Sequence, residues 1–365
     1  MKPIGELCDI IGGGTPPKSN AAFFNGSIPW ATVRDMKADW IEVTEHSITP
    51  EAVKQSATHI LPSGSVVIAS RVGLGKVCRV SNDTAINQDL RGFVPKPKAQ
   101  LDIQYLFWWF KSVAGQIVAA GNGATVQGVT LPFLRSLEIP LPPLDEQRRI
   151  VAVLDKAFAG TATATANAQK NLTNARALFE GSLRTEFILP TGDNEQRKVG
   201  DLLQLQRGFD ITKSQQSHGS FPVISSGGIK SFHSEAMVKG PGVIIGRKGT
   251  LGKVFYVESD YWPHDTTLWV KDFKSNHPRL VYYMLQCLNV KSLDTGTANP
   301  ALNRNLVHEL EVFWPKGADQ PELASRLDRI WEDTQRLAAN LNAKLTALTE
   351  LKQSLLQKAF AGELT

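Results

Sequence analysis

Ser65-Val66-Val67-Ile68, followed closely by Leu74-Gly75-Lys76-Val77, returns later in the chain as Gly242-Val243-Ile244-Ile245 followed by Leu251-Gly252-Lys253-Val254. Both pieces recur at an offset of 177 residues, so the spacing between them is kept. Outward from this core, Ile4-Gly5-Glu6-Leu7 matches Val199-Gly200-Asp201-Leu202 at an offset of 195. Leu137-Glu138-Ile139 matches Leu310-Glu311-Val312 at 173, as do Leu154-Asp155 with Leu327-Asp328 and Phe187 with Phe360. Chance supplies one such match; five in the same order are the mark of a tandem duplication. The drift in offset reads as altered loop lengths within the first domain.

The repeat orders the chain as domain, helix, domain, helix. Residues 1–143 and 190–318 form the two globular blocks, and 144–189 and 319–365 the two helices. Each block is rich in β-branched residues, Gly and Pro. Ser65–Ala69, Gly242–Ile245 and Thr267–Val270 read as short strands between turns. A shorter helix is expected near Ile103–Ala119, with a counterpart near Pro278–Leu288. The fold class is therefore mixed α/β (α+β), with two β-rich domains arranged as a pseudo-two-fold tandem repeat.

After Pro140-Leu141-Pro142-Pro143 the periodicity changes. Leu144, Val151, Leu154, Phe158, Ala162, Thr165, Ala168, Leu172, Ala175, Phe179 and Leu183 recur at seam spacing. The second series is Leu323, Leu327, Ile330, Thr334, Leu337, Leu341, Lys344, Leu348, Leu351 and Leu355, entered through Asp319, Pro321 and Glu322 as a capping sequence. Alternating steps of four and three define a coiled-coil seam. About 40 residues per helix correspond to about 60 Å. Helices of this length need a partner face, and two in one chain can pair antiparallel. Such a pair would set two domains at a fixed separation, a geometry suited to a duplex with two half-sites.

Composition narrows the class further. The chain has 365 residues, 42% of them hydrophobic, and a net charge of +5. The positive charge lies in the two globular blocks: residues 1–143 carry 13 Lys/Arg against 11 Asp/Glu, and residues 197–316 carry 15 against 10. Cys8, Cys78 and Cys287 are widely separated and odd in number, which argues against a disulfide framework or zinc cluster. They read as small buried hydrophobes. Without an apolar leader or a run of about 18 apolar residues, a cytoplasmic protein with no membrane segment is expected.

Catalytic motifs do not assemble. Gly246 to Gly252-Lys253 has the wrong spacing for a phosphate loop, and Val254 stands where Ser or Thr is required. Gly73-Leu74-Gly75-Lys76-Val77 fails likewise; tight turns between strands are the simpler reading, free to present backbone N–H groups, Lys76 or Lys253 to phosphates. No adenine-methylase loop of the Asn-Pro-Pro-Tyr kind occurs. Asp35-Met36-Lys37 is the nearest fragment to a nuclease centre, lacks a partner, and reads as a solvated loop. The seven histidines show no metal spacing. Trp30, Trp40, Trp108 and Trp109 read as core.

At this point the residues resemble a known family. Leu141-Pro142-Pro143-Leu144-Asp145-Glu146-Gln147-Arg148-Arg149-Ile150 and Leu355-Leu356-Gln357-Lys358-Ala359-Phe360-Ala361-Gly362-Glu363-Leu364 are similar to the hallmark pieces of the DNA specificity (S) subunit of type I restriction–modification systems. Gly13-Gly14-Thr15-Pro16, Ile28-Pro29-Trp30 and Thr84-Ala85-Ile86-Asn87-Gln88 also sit where that family places them. The second half departs from it, with Trp314-Pro315-Lys316-Gly317-Ala318-Asp319-Gln320 and Pro263-His264-Asp265-Thr266-Thr267 in place of the Pro-Pro-Leu and Asn-Gln elements. The resemblance implies two target-recognition domains, each reading half of a bipartite sequence in double-stranded DNA. It implies helices that dock two modification (methyltransferase) subunits, with restriction subunits joining them. It also implies a non-catalytic chain without a cofactor of its own, S-adenosylmethionine and adenine methylation belonging to the modification subunit. A self-contained DNA-modifying enzyme and a coiled-coil scaffold of a non-DNA assembly remain as rivals.

Arg and Lys read guanine edges, and Asn and Gln read adenine edges. Loop residues of those types are the candidate DNA contacts. In the first domain they are Arg34, Lys37, Arg71, Lys76, Arg79, Asn87 and Gln88, with Thr125 and Gln127 behind them. In the second they are Arg207, Lys213, Ser225, Lys230, Arg247, Lys248, Lys253, Asn303 and Arg304.

Overall fold

A computed structural model describes residues 1–122, 128–190, 192, 194–293, 301–316 and 319–364. The chain forms two compact units: residues 1–167 with 344–365, and residues 168–343. Each long helix therefore belongs partly to one unit and partly to the other, rather than standing as a domain of its own.

In the first unit, Val66–Ala69 is an inner strand of a five-stranded sheet ordered Cys8–Gly12, Leu90–Pro95, Val66–Ala69, Val77–Val80 and Trp40–Ile41. A four-stranded sheet is ordered His46–Ile48, Ile28–Ala31, Thr84–Ile86 and Ile60–Leu61. In the second unit, Gly242–Gly246 is an inner strand of a four-stranded sheet ordered Gln204–Arg207, Thr267–Asp272, Gly242–Gly246 and Val254–Val257. A three-stranded sheet is ordered Gly228–His233, Phe221–Ser225 and Trp262–Pro263. The repeated apolar runs are buried along their whole length on both faces, which is why they show no polar alternation. Their hairpin registers are equivalent: Ile68 faces Val77, and Ile245 faces Val254. The matched Ile4 and Val199 open equivalent short helices, Ile4–Leu7 and Val199–Leu202, each lying after a strand that closes a two-stranded pair with Glu138–Ile139 or Glu311–Trp314.

A short helix in each unit packs between its sheet and the long helices. In the first it is Ile103–Ser112, capped by Asp102, whose carboxylate accepts from the amides of Gln104 and Tyr105 at 2.8 and 3.1 Å. All six residues from Tyr105 to Phe110 are buried. The equivalent in the second unit is Pro278–Cys287.

The two long helices are Leu144–Phe187 and Gln320–Ala361. Within each unit their segments pair antiparallel. In the first unit, Ile150 and Leu154 share a core with Leu356 and Ala359, and the Arg149 guanidinium donates to the Leu364 carbonyl at 2.9 Å. In the second, Phe179 lies 4.9 Å from Trp331 between ring centres, while Glu186, further along the same helix, pairs with the earlier Arg326.

The repeat extends to individual side-chain bonds. Fully buried Gln147 accepts from the Asp102 amide at 2.9 Å and donates to the Gln100 and Pro142 carbonyls at 2.9 and 2.8 Å. Gln320, its counterpart at offset 173, accepts from the His277 amide at 2.8 Å and donates to Asn276 Oδ1 at 2.9 Å. Asp155 accepts from Trp108 Nε1 at 2.8 Å; Asp328 accepts from Arg279 Nε at 2.6 Å and from the Tyr283 hydroxyl. The Gln of the Pro-Pro-Leu-Asp-Glu-Gln stretch is thus a pin between the long helix and the domain, and it persists where the rest of that stretch has changed.

The seam departs from the expected one in places. Thr161 is buried where Ala162 is exposed. Leu337, Lys344 and Leu351 are exposed, and the adjacent Ala338, Leu345 and Lys352 are half-buried. A straight helix drifts about 20° per heptad relative to a 3.5-residue repeat, so a fixed heptad frame slips by one position along helices of 44 and 42 residues.

Candidate nucleic-acid interface

In each unit a turn after a short strand collects the loops that carry the candidate residues. In the first unit this turn is Ile86–Asp89. Its carbonyl at Ile86 accepts from the Gly14 amide at 3.0 Å, and the Asn87 amide donates to Ala31 O at 3.0 Å. The Asp89 carbonyl accepts from the amides of Ser70 and Arg71 at 2.8 and 3.2 Å. In the second unit the turn is Pro263–Thr266. Pro263 O accepts from the Phe209 amide at 2.8 Å, and the His264 amide donates to Ile224 O at 2.8 Å. Thr266 O accepts from the amides of Arg247 and Lys248 at 2.9 and 3.0 Å. His264 thus replaces Asn87, and Lys248 replaces Arg71, in the same backbone frame.

Glycine is required at one point of that frame. A Cβ on Gly13 would stand 2.1 Å from the Asn87 carbonyl oxygen, and one on Gly208 would stand 2.1 Å from that of His264. Neither approach tolerates a side chain. The Gly-Gly-Thr-Pro stretch therefore lets the chain lie directly against the turn.

In the first unit the frame borders a groove of about 710 Å³ lined by Thr15, Lys18, Phe24, Trp30, Thr32, Val33, Arg34, Glu45, His46, Val72, Asn87, Gln88 and Asp89. Three expected contacts, Arg34, Asn87 and Gln88, meet here. Gln88 receives a hydrogen bond from the Thr15 hydroxyl. Arg34 and Lys37 are exposed and share Glu45 as counter-ion at 3.8 and 4.0 Å. Arg71 lies 3.8 Å from Asp89, and Lys76 Nζ donates to the Val33 carbonyl at 3.3 Å.

Three expectations are corrected in this unit. Arg79 is 7% exposed, its guanidinium held 4.1 Å from the ring centres of both Trp40 and Phe107. Burial pushes its pKa down, against the opposing pull of Asp39 and Asp155. It is a packing residue, buried between two rings. Asn87 is 6% exposed, and its amide is spent on the turn, accepting from the Asp89 amide and donating to the Asp89 carboxylate, both at 3.1 Å. Asp35 is buried rather than solvated: its carboxylate accepts from Thr32 N at 2.7 Å, Thr32 Oγ1 at 3.0 Å and Glu45 N at 2.8 Å. It ties the loop that presents Arg34 and Lys37. Trp30, Trp108 and Trp109 are buried, and Trp40 is half-buried beneath Arg79. Thr125 and Gln127 lie outside the described residues.

In the second unit a set of cations surrounds His264 and Asp265. Arg207 Nη2 pairs with Asp265 at 3.2 Å, and Arg247 Nη1 donates to the Asp265 carbonyl at 3.4 Å. Lys230 Nζ lies 3.3 Å from His264 Nε2, and Lys253 Nζ donates to Gly227 O at 3.3 Å. Lys248 is exposed beside them. Burial lowers the His264 pKa below its ordinary value, Lys230 lowers it further, and Asp265 and Asp210 oppose both. His264 Nδ1 lies 2.9 Å from Asp265 Oδ1 and 3.0 Å from the Thr266 hydroxyl. Asn303 is exposed and caps the helix Arg304–His308, which follows Leu302; the Leu302 amide donates to Arg247 O at 2.9 Å. Ser225 turns its hydroxyl to Gly228 O at 2.9 Å, and Lys213 lies in a separate 3-10 turn, Lys213–Gln215.

Sequence reasoning passed over Thr15, Lys18 and His46, which line the groove, and His264, which sits in the turn. For His264 the repeat alignment with Asn87 carried the signal; for the others it lay in the tertiary groove. Cys8 and Cys78 are buried and Cys287 half-buried, all as free thiols. Burial raises the Cys8 and Cys287 thiols to about 12 and that of Cys78 to about 11. Among the described residues no group of His, Cys, Asp and Glu could hold a metal, and no helix is long and apolar enough to cross a membrane.

Comparison with known proteins matches this geometry to a family. The family profile described as type I restriction modification DNA specificity domain matches residues 1–174 and 191–347. The EcoR124I/EcoR124II type I restriction enzyme specificity subunit of Escherichia coli is 35% identical over 162 residues, covering 42% of this chain and 40% of that protein. The MjaIX specificity subunit of Methanocaldococcus jannaschii is 26% identical over 235 residues, or 59% of this chain and 54% of that protein. The EcoprrI specificity subunit of Escherichia coli is 22% identical over 96% of this chain and 90% of that protein. The chain thus spans about half the length of the first two of these relatives and nearly all of the third. Among solved structures, a chain from a study of complex assembly and conformational transition of the type I R-M system superposes with a TM-score of 0.82 at 17% identity, covering 99% of this chain and 97% of that one. The HsdS subunit from Thermoanaerobacter tengcongensis superposes at 0.60 and 16% identity, over 99% of this chain and 96% of that one. With its two profile matches falling on the two repeats, the chain belongs to the type I restriction modification DNA specificity family.

Proposed function

We propose that this chain reads a bipartite sequence in double-stranded DNA, one half with each unit, and carries no catalytic centre of its own. The observation that bears the reading is the doubled site: the same turn, with the same glycine approach and a cation at the position of Arg71 or Lys248, is built twice in one polypeptide. Backbone contacts by such cations position a duplex, and neighbouring amides and guanidinium groups read base edges. The two long helices, each continuous from one unit into the other, would serve as the spacer.

The partners follow from the same duplication. Two modification subunits would dock on the helices, supply S-adenosylmethionine and methylate adenine, and restriction subunits would complete the assembly in the cytoplasm. Leu178 and Leu351 support two equivalent docking points. They are repeat equivalents at offset 173, both on the long helices, and are 71% and 45% exposed.

The test is a methylation assay with the purified full chain, the modification subunit, and both together, on plasmid DNA. Methylated adenines confined to a split sequence, formed by the mixture and by neither component separately, are expected. Methyl transfer by this chain without the second subunit would overturn the non-catalytic assignment.

A further inference from the structure

Val72 stands in a backbone conformation that favours glycine, and it does so at the lip of the first unit's groove. Its φ is +33°, a left-handed conformation in which a β-branched residue is a genuine outlier. Its side chain is 52% exposed and gains nothing from the core. The repeat supplies the control: at offset 177 the second unit has Gly249, also left-handed at φ +78°. The first unit's loop turns left-handed at Val72, Gly73 and Gly75, and the second's at Gly249 and Gly252. Both loops sit on the turn through the same pair of amide bonds. One copy thus meets the left-handed requirement with the residue that fits it, and the other holds a branched apolar side chain there against the strain.

What that side chain faces decides its use. It shares the groove with Gln88, Arg34 and Thr15, and it follows Arg71 directly. An exposed apolar group beside the donors Gln88 and Arg34, in a groove that also holds Phe24 and Val33, matches one feature of duplex DNA, the 5-methyl group of thymine, which lies in the major groove beside a base-edge acceptor. We infer that Val72 is a specificity-determining residue of the first unit, contacting a thymine methyl in its half-site. The inference rests on the DNA-reading function proposed above. Gly249 leaves the second unit without that contact.

The experiment uses the full chain and a randomised duplex pool. Duplexes recovered by the wild-type chain give its target. Each thymine of that target is then replaced in turn by deoxyuridine, which lacks only the methyl group, and the same set is measured with V72G. With wild type, one position of one half-site should lose about four-fold in affinity on loss of the methyl, the value for burying one such group. With V72G that loss should vanish, the other positions should be unchanged, and the melting temperature should be equal or higher because the strain is relieved. An identical deoxyuridine profile in the two proteins, or a wild type sensitive at no thymine, would overturn the role of Val72. A wild-type chain that enriches no sequence at all would instead overturn the DNA-reading function, and the inference with it.

Discussion

The turn Ile86–Asp89 of the first unit and the turn Pro263–Thr266 of the second share a backbone and differ in charge. In the first, Asp89 is half-screened by Arg71, and Arg34 and Lys37 both lean on Glu45. In the second, Arg207, Lys230 and Arg247 gather around one His-Asp pair, while Lys248 is exposed on the adjoining loop and Lys253 bonds to Gly227 O. The frame is what duplication preserved; the side chains it displays are what diverged. A protein that reads two different half-sites with one architecture needs that division, because phosphate contacts position while side chains in the groove specify.

The comparison can be broken most forcefully on the basic side. Reversing charge in R247E/K248E/K253E should weaken duplex binding by roughly 100-fold at low salt and reduce the slope of log affinity against log salt by about 2 to 3, since each phosphate contact contributes about 0.9. Measured by titration at several salt concentrations, an unchanged slope would remove this surface from the footprint. The first unit, whose rim cations already have carboxylate partners, should respond less to R34E/K37E.

A second test asks whether the units are equivalent in construction. Replacing Gln147 by Ala strands the Asp102 amide and two carbonyls, and should cost about 2 kcal/mol. Q320A removes the matching pin from the second unit and should cost a similar amount. Since the two sites share no partners, denaturant unfolding of the double variant should show additive losses. A double variant no worse than either single one would mean that the pins are not independent.

The smallest effect concerns His264. Its pKa is lowered in the folded state, mainly by burial, so the unfolded chain binds a proton more readily. The stabilising contribution is complete above the ordinary histidine pKa of about 6.5 and is lost as pH falls from there through the folded value. His308 acts in the same direction, with Nε2 accepting from the Leu205 amide at 3.0 Å and burial lowering its pKa. H264N, which installs the residue of the first unit, should therefore lose less melting temperature than wild type between pH 7.5 and 5.5. A pH profile identical to wild type would show that the ring is not protonated differently on folding.

Much of this architecture is legible in the sequence because it is periodic or repeated. Val66–Ala69 and Gly242–Gly246 are continuous apolar runs at a fixed offset, and the long helices announce themselves by spacing. The contacts are less legible, because charge in a sequence does not say where a side chain finds its partner. Arg79 reads as a free cation and is sandwiched by two rings that come from distant segments. Asn87 reads as an adenine reader and is consumed by its own turn. The seam fails at Ala162, Leu337 and Leu351 for a different reason: a heptad frame cannot follow the drift of a 3.6-residue helix.

The central claim is that two like readers act from one chain on two separate halves of a target. Sequencing the duplexes that the wild-type chain, assembled with modification subunits, recovers from a random pool tests it most directly. Two conserved blocks separated by an unconserved gap of constant length are the expected result. A single uninterrupted block, or two blocks at varying distance, would contradict it.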